Sequence, residues 1–86
     1  MRVRIPTPLR AYTDQRTTVE AEGGTIDEIL LDLDRQFPGI RFRVVDEQGR
    51  LRQHMKVFVN EDSERDLSTA IDPSDEIVLM QALSGG

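Results

Sequence analysis

An α+β fold, a mixed sheet packed on one main helix, is predicted by three features of this 86-residue chain. Short segments with an apolar residue at every second position flank a single segment with helical spacing. That helical segment opens on a capping signal. The final segment, "EIVLMQAL", is apolar on both faces, as a strand in the middle of a sheet has to be. A polymer this short closes around one modest core. It is therefore read as one domain, residues 1–83, followed by a flexible tail, Ser84-Gly85-Gly86.

Near the N-terminus Val3, Ile5 and Leu9 alternate with Arg2, Arg4 and Pro8, which predicts a strand with Thr7 at the remaining inward position. Pro6 and Pro8 set its end near a sheet margin. "RAYTDQ" has turn composition, and Val19 and Ala21 then alternate with Thr18, Glu20 and Glu22 to give a second strand and a hairpin. Gly23-Gly24 closes it. Thr25 and Glu28 form a T-x-x-E capping box, in which each side chain satisfies an orphan N–H at a helix start. Ile26, Ile29, Leu30, Leu33 and Phe37 follow as one stripe, with Asp27, Asp32 and Arg35 off it, until Pro38-Gly39 stops the helix.

Residues 40–54 admit two readings from their spacing and from the resemblance described below: Ile40, Phe42 and Val44 alternate like a strand, and a short helical turn is equally allowed. "MKVFVN" is a strand with Met55, Val57 and Val59 on one face and Lys56, Phe58 and Asn60 on the other. "NEDSERD" is read as a turn, "LSTAI" as a short helical turn setting Leu67 and Ile71 against the core, and Pro73-Ser74-Asp75 as the bend into the last strand. Strand, strand, helix, strand, strand is the element order of the β-grasp arrangement, in which the first and last strands run parallel at the centre of the sheet. Other α+β folds share the order. The doubly apolar last strand is what fits this one.

Sixteen acidic against eleven basic residues give a net charge of −5, which opposes binding to nucleic acid and to an anionic membrane surface. The balance suits a basic partner surface or a simply solvated exterior. The chain has no cysteine, so disulfides, thiolate metal sites and cysteine nucleophiles are excluded. "MRVRIPTPL" has no continuous apolar stretch, and the expected location is cytoplasmic.

Catalytic candidates are few. His54 has no second histidine to complete a metal or nucleophile constellation and is read as structural or surface. Glu61, Asp62, Glu64 and Asp66 lack the regular spacing of a calcium loop and are read as a solvated turn. Gly23-Gly24 falls short of a phosphate loop, with Glu22, Asp27 and Glu28 opposing an anion. Arg35, Arg41, Arg43, Arg50 and Arg52 form the one basic concentration, interleaved only with Phe42, and are read as pairing with the chain's own carboxylates. No catalytic residue, metal ligand or bound cofactor is expected.

The chemistry is placed instead on the closing residues. A carboxylate there becomes an acyl group once a partner adenylates it, and a sulfur or nitrogen nucleophile can then attack the carbonyl. Glycine suits a narrow active site because it carries no side chain to clash. "VRIPTPLRAYT", "VEAEGGTIDEILLDLDRQFPGI", "VFVNED" and the closing "SGG" resemble the bacterial ubiquitin-like sulfur carriers, the family of the molybdopterin-synthase small subunit (MoaD), the thiamine-pathway carrier (ThiS) and the cysteine-pathway carrier (CysO). The resemblance covers nearly the whole chain, and its most specific element is the terminal Gly-Gly directly after a strand.

That resemblance implies a protein substrate rather than an enzyme. A partner that uses ATP adenylates Gly86, sulfur from a donor replaces one oxygen to give a thiocarboxylate, and a sulfur-accepting biosynthetic enzyme takes it up. Ser84 and Gly85 would thread the tail into these partners. The acceptor pathway is left among cysteine, molybdopterin, thiamine and other thio-metabolites.

Register with related ubiquitin-like tails turns Ile77 and Leu79 to the helix and Val78 and Met80 to the opposite face beside Phe58. These three, with Leu83, are the expected partner-docking residues, unless the 40–54 segment or a second copy covers them. Two rival functions fit the same tail: a protein modifier joined to target lysines through Gly86, and a non-covalent binding module.

Overall fold

The structure, a computed structural model, describes residues 1–82. It contains a five-stranded mixed sheet with one main helix across one face. The strands are β1 (Arg2–Arg4), β2 (Thr18–Glu20), β3 (Met55–Val59), β4 (Asp62–Glu64) and β5 (Ile77–Gln81), and the helices are α1 (Ile26–Gln36) and α2 (Ile40–Val44). Across the sheet the order is β2-β1-β5-β3-β4. β1 and β5 run parallel, with Val3 beside Ile77, and every other pair is antiparallel. β5 is therefore flanked on both sides, and Ile77 and Leu79 are sealed in the core with Val3, Val57 and the α1 stripe Ile26, Ile29, Leu30 and Leu33. The β-grasp arrangement expected from the element order is the one observed.

The start of α1 shows how local sequence and distant chain cooperate. Thr25 Oγ1 accepts from the Glu28 N–H at 3.2 Å, and Glu28 Oε1 accepts from the Gly24 N–H at 2.7 Å, one residue earlier than a standard capping box. Two further orphan donors, the N–H groups of Ile26 and Asp27, reach the carbonyls of Thr69 and Leu67. The 67–71 segment thus caps the helix while Leu67 and Ile71 join the core, as expected for those two residues.

Farther along α1, Asp32 accepts from the Glu22 N–H at 3.0 Å and from Gln36 and Arg35, which ties β2 to the helix. The Arg35 hydrogen bond, followed by that of the Glu22 N–H, holds the Asp32 carboxyl below its ordinary range.

Gly23 is fixed by space. A Cβ there would stand 2.7 Å from Glu28 Cβ and 2.8 Å from the Ile29 nitrogen, in the first turn of α1. Gly23→Ala is therefore expected to lower stability by about 1–3 kcal/mol, the usual cost of overpacking against atoms that cannot yield. Urea unfolding followed by circular dichroism checks it, and an unchanged midpoint would mean that the helix start can shift at no cost.

Two segments differ from the sequence expectation, and a third, left open by it, takes one of its two readings. The first strand stops at Arg4 and gives way to a 3-10 helix over Thr7–Thr13. The prolines explain this: neither supplies a ladder N–H, and the fixed φ suits a helical turn, which Pro6 closes by accepting from the Leu9 N–H at 2.9 Å. Val3, Ile5 and Leu9 are buried as expected, but Thr7 is exposed. Thr13, placed in a turn by its composition, is fully buried, its hydroxyl 3.0 Å from the Arg16 carbonyl and 3.2 Å from that of Arg10.

The 40–54 segment begins as a helical turn. Ile40 and Val44 face the core four residues apart and Phe42 points to solvent, so the strand reading fails. In "NEDSERD", finally, Asp62–Glu64 forms the edge strand β4, joined to β3 through the two-residue turn Asn60-Glu61. Asn60 adopts φ 57°, and its side-chain carbonyl accepts from the Glu76 N–H at 3.0 Å. A charged edge strand carries no apolar alternation, which is why composition reads it as a turn.

Candidate functional site

The far face of the sheet, opposite α1, carries a row of side chains set by strand register. Val78 lies across from Phe58 on one side and beside Arg4 on the other, Ser63 extends the row beyond Phe58, and Met80 lies across from Lys56. Opposed residues in such pairs stand close enough for their side chains to touch. Val78 and Phe58 are half-buried and Met80 is 45% exposed. The expected apolar patch of Phe58, Val78 and Met80 is thus assembled on one face, and Arg4 and Lys56 border it.

The 40–54 segment does not cover that row. Its Ile40, Val44, Val45 and Leu51 enter the core, and α2 packs with α1 and the 3-10 helix.

The same strand delivers the tail. Gln81 still pairs with Met55, and the Ala82 N–H donates to the His54 carbonyl at 2.7 Å, beyond which the chain leaves the described residues. Leu83, Ser84, Gly85 and Gly86, together with the boundary placed after residue 83, lie outside them. His54 is exposed, in agreement with a surface role, and its backbone anchors the base of the tail.

Around this point Phe42, Arg43, Arg52, His54, Met55 and Gln81 line one shallow pocket. The Arg52 guanidinium carbon sits 4.6 Å from the centre of the Phe42 ring, and its Nε donates to the Phe42 carbonyl at 2.7 Å. The sequence marks Arg43 and Arg52 as members of a basic concentration and His54 as structural or surface, without bringing them together. The signal that separates them is Phe42, an exposed aromatic on a turn whose other apolar residues are buried.

The rest of that basic concentration divides as the chain's own acids allow. Arg35 pairs with Asp32 and Arg41 with Asp27, each at 2.9 Å. Asp46 accepts the Arg50 and Gln48 N–H groups, which with the nearby Arg50 and Arg52 charges hold its carboxyl below the ordinary range. Arg43 makes no ion pair among the described residues.

The acidic turn residues serve the backbone. Asp66 accepts from the Ser68 hydroxyl and N–H, and Asp72 does the same for Ser74. Those bonds hold both carboxyls low. Among the described residues no group of three or more His, Asp or Glu side chains is placed to hold a metal ion, and no helix is long and apolar enough to cross a membrane.

Comparison with known proteins gives one consistent result. A family model described as the ThiS family matches residues 3–86. The sulfur carrier protein CysO of Mycobacterium tuberculosis (strain ATCC 25618 / H37Rv) is 34% identical over 89 residues, covering 98% of this chain and 96% of that protein. A chain in the crystal structure of the Amycolatopsis orientalis BexX/CysO complex superposes with a TM-score of 0.91 at 34% identity, covering 99% of this chain and 98% of that one. SAMP1 of Haloferax volcanii, a small archaeal modifier protein, superposes with a TM-score of 0.78 at 27% identity, covering 100% of this chain and 98% of that one.

Proposed function

Because the chain belongs to the ThiS family, we propose that it is a sulfur carrier that works through Gly86, as substrate and not as enzyme. The relatives it matches along their length are named carriers. The observation that supports the chemistry is the place of β5: a strand held on both sides at the sheet centre, which Leu83-Ser84-Gly85-Gly86 follow in the sequence one residue after its end.

In this reading the Gly86 carboxylate attacks the α-phosphorus of ATP in a partner's active site and pyrophosphate leaves. A hydrosulfide sulfur supplied by a donor then attacks the carbonyl of the acyl-adenylate, AMP leaves, and the thiocarboxylate remains. A sulfur-accepting biosynthetic enzyme then consumes it. Gly85 and Ser84 keep the approach narrow, so that the reacting carbonyl enters a channel closed to larger side chains. The carrier needs no bound cofactor, since ATP is used by the partner, and that need for ATP places the cycle in the cytoplasm. Intact mass of the protein isolated from its own cells tests this: a species heavier by one oxygen-to-sulfur exchange is expected. A population carrying only lysine-linked conjugates that disappear on deletion of Gly86 would favour the modifier instead. The likeness to SAMP1 is the observation that keeps this second reading in view.

Phe58, Val78 and Met80 are the proposed grip for the activating enzyme, with Leu83 at the base of the tail extending it. The BexX/CysO complex, which contains a similar chain, supports the idea that such a domain is gripped by a partner protein. Met80 is already 45% exposed, so Met80→Glu is expected to leave the melting temperature unchanged while weakening binding to the activating enzyme by roughly tenfold or more. Leu31→Glu, on an exposed position of α1, is the control and should bind normally. Equal affinity of the two variants in calorimetric titration would remove this face from the docking site.

A further inference from the structure

Among the described residues, the pocket beside Ala82 is lined by no carboxylate. The net charge of the whole chain is −5, which taken alone suits a basic partner. Yet of the six residues lining the pocket beside Ala82, Arg43 and Arg52 are cationic, His54 is an imidazole, and Phe42, Met55 and Gln81 are uncharged. Phe42 is 56% exposed and carries the Arg52 guanidinium on its ring. Lys56 continues the positive edge next to Met80 on the sheet face. Asp46, a carboxylate that feels the Arg52 charge, is already engaged by two backbone N–H groups.

Reach decides what must touch this cluster. Four residues separate Ala82 from the Gly86 carboxylate, and a fully extended chain spans at most about 3.3–3.6 Å per residue, so the carboxylate stays within about 14 Å of Ala82. An enzyme that reacts with it has to bring the mouth of its active site against the residues around Ala82. The geometry points to one occupant: the acidic rim of the activating enzyme's tail channel, seated on Phe42, Arg43, Arg52 and His54. The aromatic ring gives that rim an apolar anchor, and the two guanidiniums give it carboxylate partners in fork geometry. This inference rests on the carrier reading and adds to it a second contact, separate from the apolar row of the sheet.

Such a contact also solves a problem of sign. A negatively charged domain is repelled by an acidic channel mouth at long range. A local positive collar orients it so that the tail leads.

The test uses the full-length protein and the activating enzyme from the same cells, purified by its ATP–pyrophosphate exchange in the presence of this chain. The double variant Arg43→Glu/Arg52→Glu is expected to raise KM for the chain by roughly tenfold at low salt, with the rate at saturation unchanged and the gap closing as salt is added. Arg35→Glu makes the same kind of charge reversal beside Glu22 and Glu28 on another part of the surface, and should stay within about twofold of the parent. Arg43→Glu alone, at a residue with no ion pair among the described residues, carries the test if the double variant melts earlier than the parent. Exchange that proceeds with the parent and has the same KM with both Arg43 variants overturns the acidic-rim contact and leaves the carrier reading standing. Absence of exchange with the parent overturns the carrier reading, and this inference with it.

Discussion

One residue added after Gly86 is expected to abolish ATP-dependent activation of this protein while leaving its melting temperature unchanged. The two halves of that result have separate causes. Adenylation requires the Gly86 carboxylate within near-attack distance of the ATP phosphorus, and an added residue displaces the carboxylate by about 3.5 Å. A misplacement of about 1 Å already costs on the order of a hundredfold in rate, so ATP–pyrophosphate exchange should fall below detection. The fold, by contrast, has its last described strand contact at the Ala82 N–H, four residues upstream of Gly86. Deletion of Gly86 should give the same pair of results by withdrawing the carboxylate instead of advancing it. Undiminished activation of the extended protein would count decisively against the carrier reading.

The second large effect lies in the core. Leu33 is fully buried where α1 meets the sheet, in one cluster with Val3, Val57, Ile77 and Leu79. Leu33→Ala leaves a cavity that the helix, held at its start by Thr25 and by the carbonyls of Leu67 and Thr69, cannot collapse into. The expected loss is about 2–5 kcal/mol. Small domains hold only about 5–15 kcal/mol in all, so the melting temperature should drop by roughly 10–30 °C. Leu31→Ala, two positions earlier on the exposed side of the same helix, should change stability by no more than about 0.5 kcal/mol. Similar melting curves for the two variants would mean that α1 does not present the stripe that places Leu33 inside.

Some elements were legible because their signals are local. Thr25 and Glu28 are three residues apart and mark the helix start whatever surrounds them, and the stripe Ile26, Ile29, Leu30 and Leu33 needs only the helical period to be read. The apolar row on the far face of the sheet was legible for a related reason. Alternation along β3 and β5 assigns Phe58, Val78 and Met80 to one face once the inward residues are known, and the observed register adds that Phe58 and Val78 are directly opposed.

Other elements were hidden because their stability comes from elsewhere. β4 reads as a polar turn since an edge strand needs no apolar face, and only its pairing with Val57, Phe58 and Val59 makes it a strand. Phe42 alternates with Ile40 and Val44 as it would in a strand. The left-handed Gly39, at φ 99° and packed against Tyr12, starts a helical turn that sends Phe42 out to solvent. Thr13 lies in a segment whose composition predicts only a turn, and it is the backbone partners of its hydroxyl that allow it to be buried.

By itself the sequence determined the helix, its cap, the apolar faces of β3 and β5, and the run of small residues Ser84-Gly85-Gly86 on which the proposed chemistry rests. These follow from neighbours along the chain, whose spacing fixes which way each side chain points. Only the tertiary structure decided that Arg43 and Arg52 stand with Phe42 and His54 around the base of the tail. These residues come from two turns of the chain, and it is the pairing of β5 with β3 and the docking of α2 on α1 that bring them to one end of the sheet. Periodicity carries no information about such a meeting, because it is set by packing between elements and not by the order of residues within them.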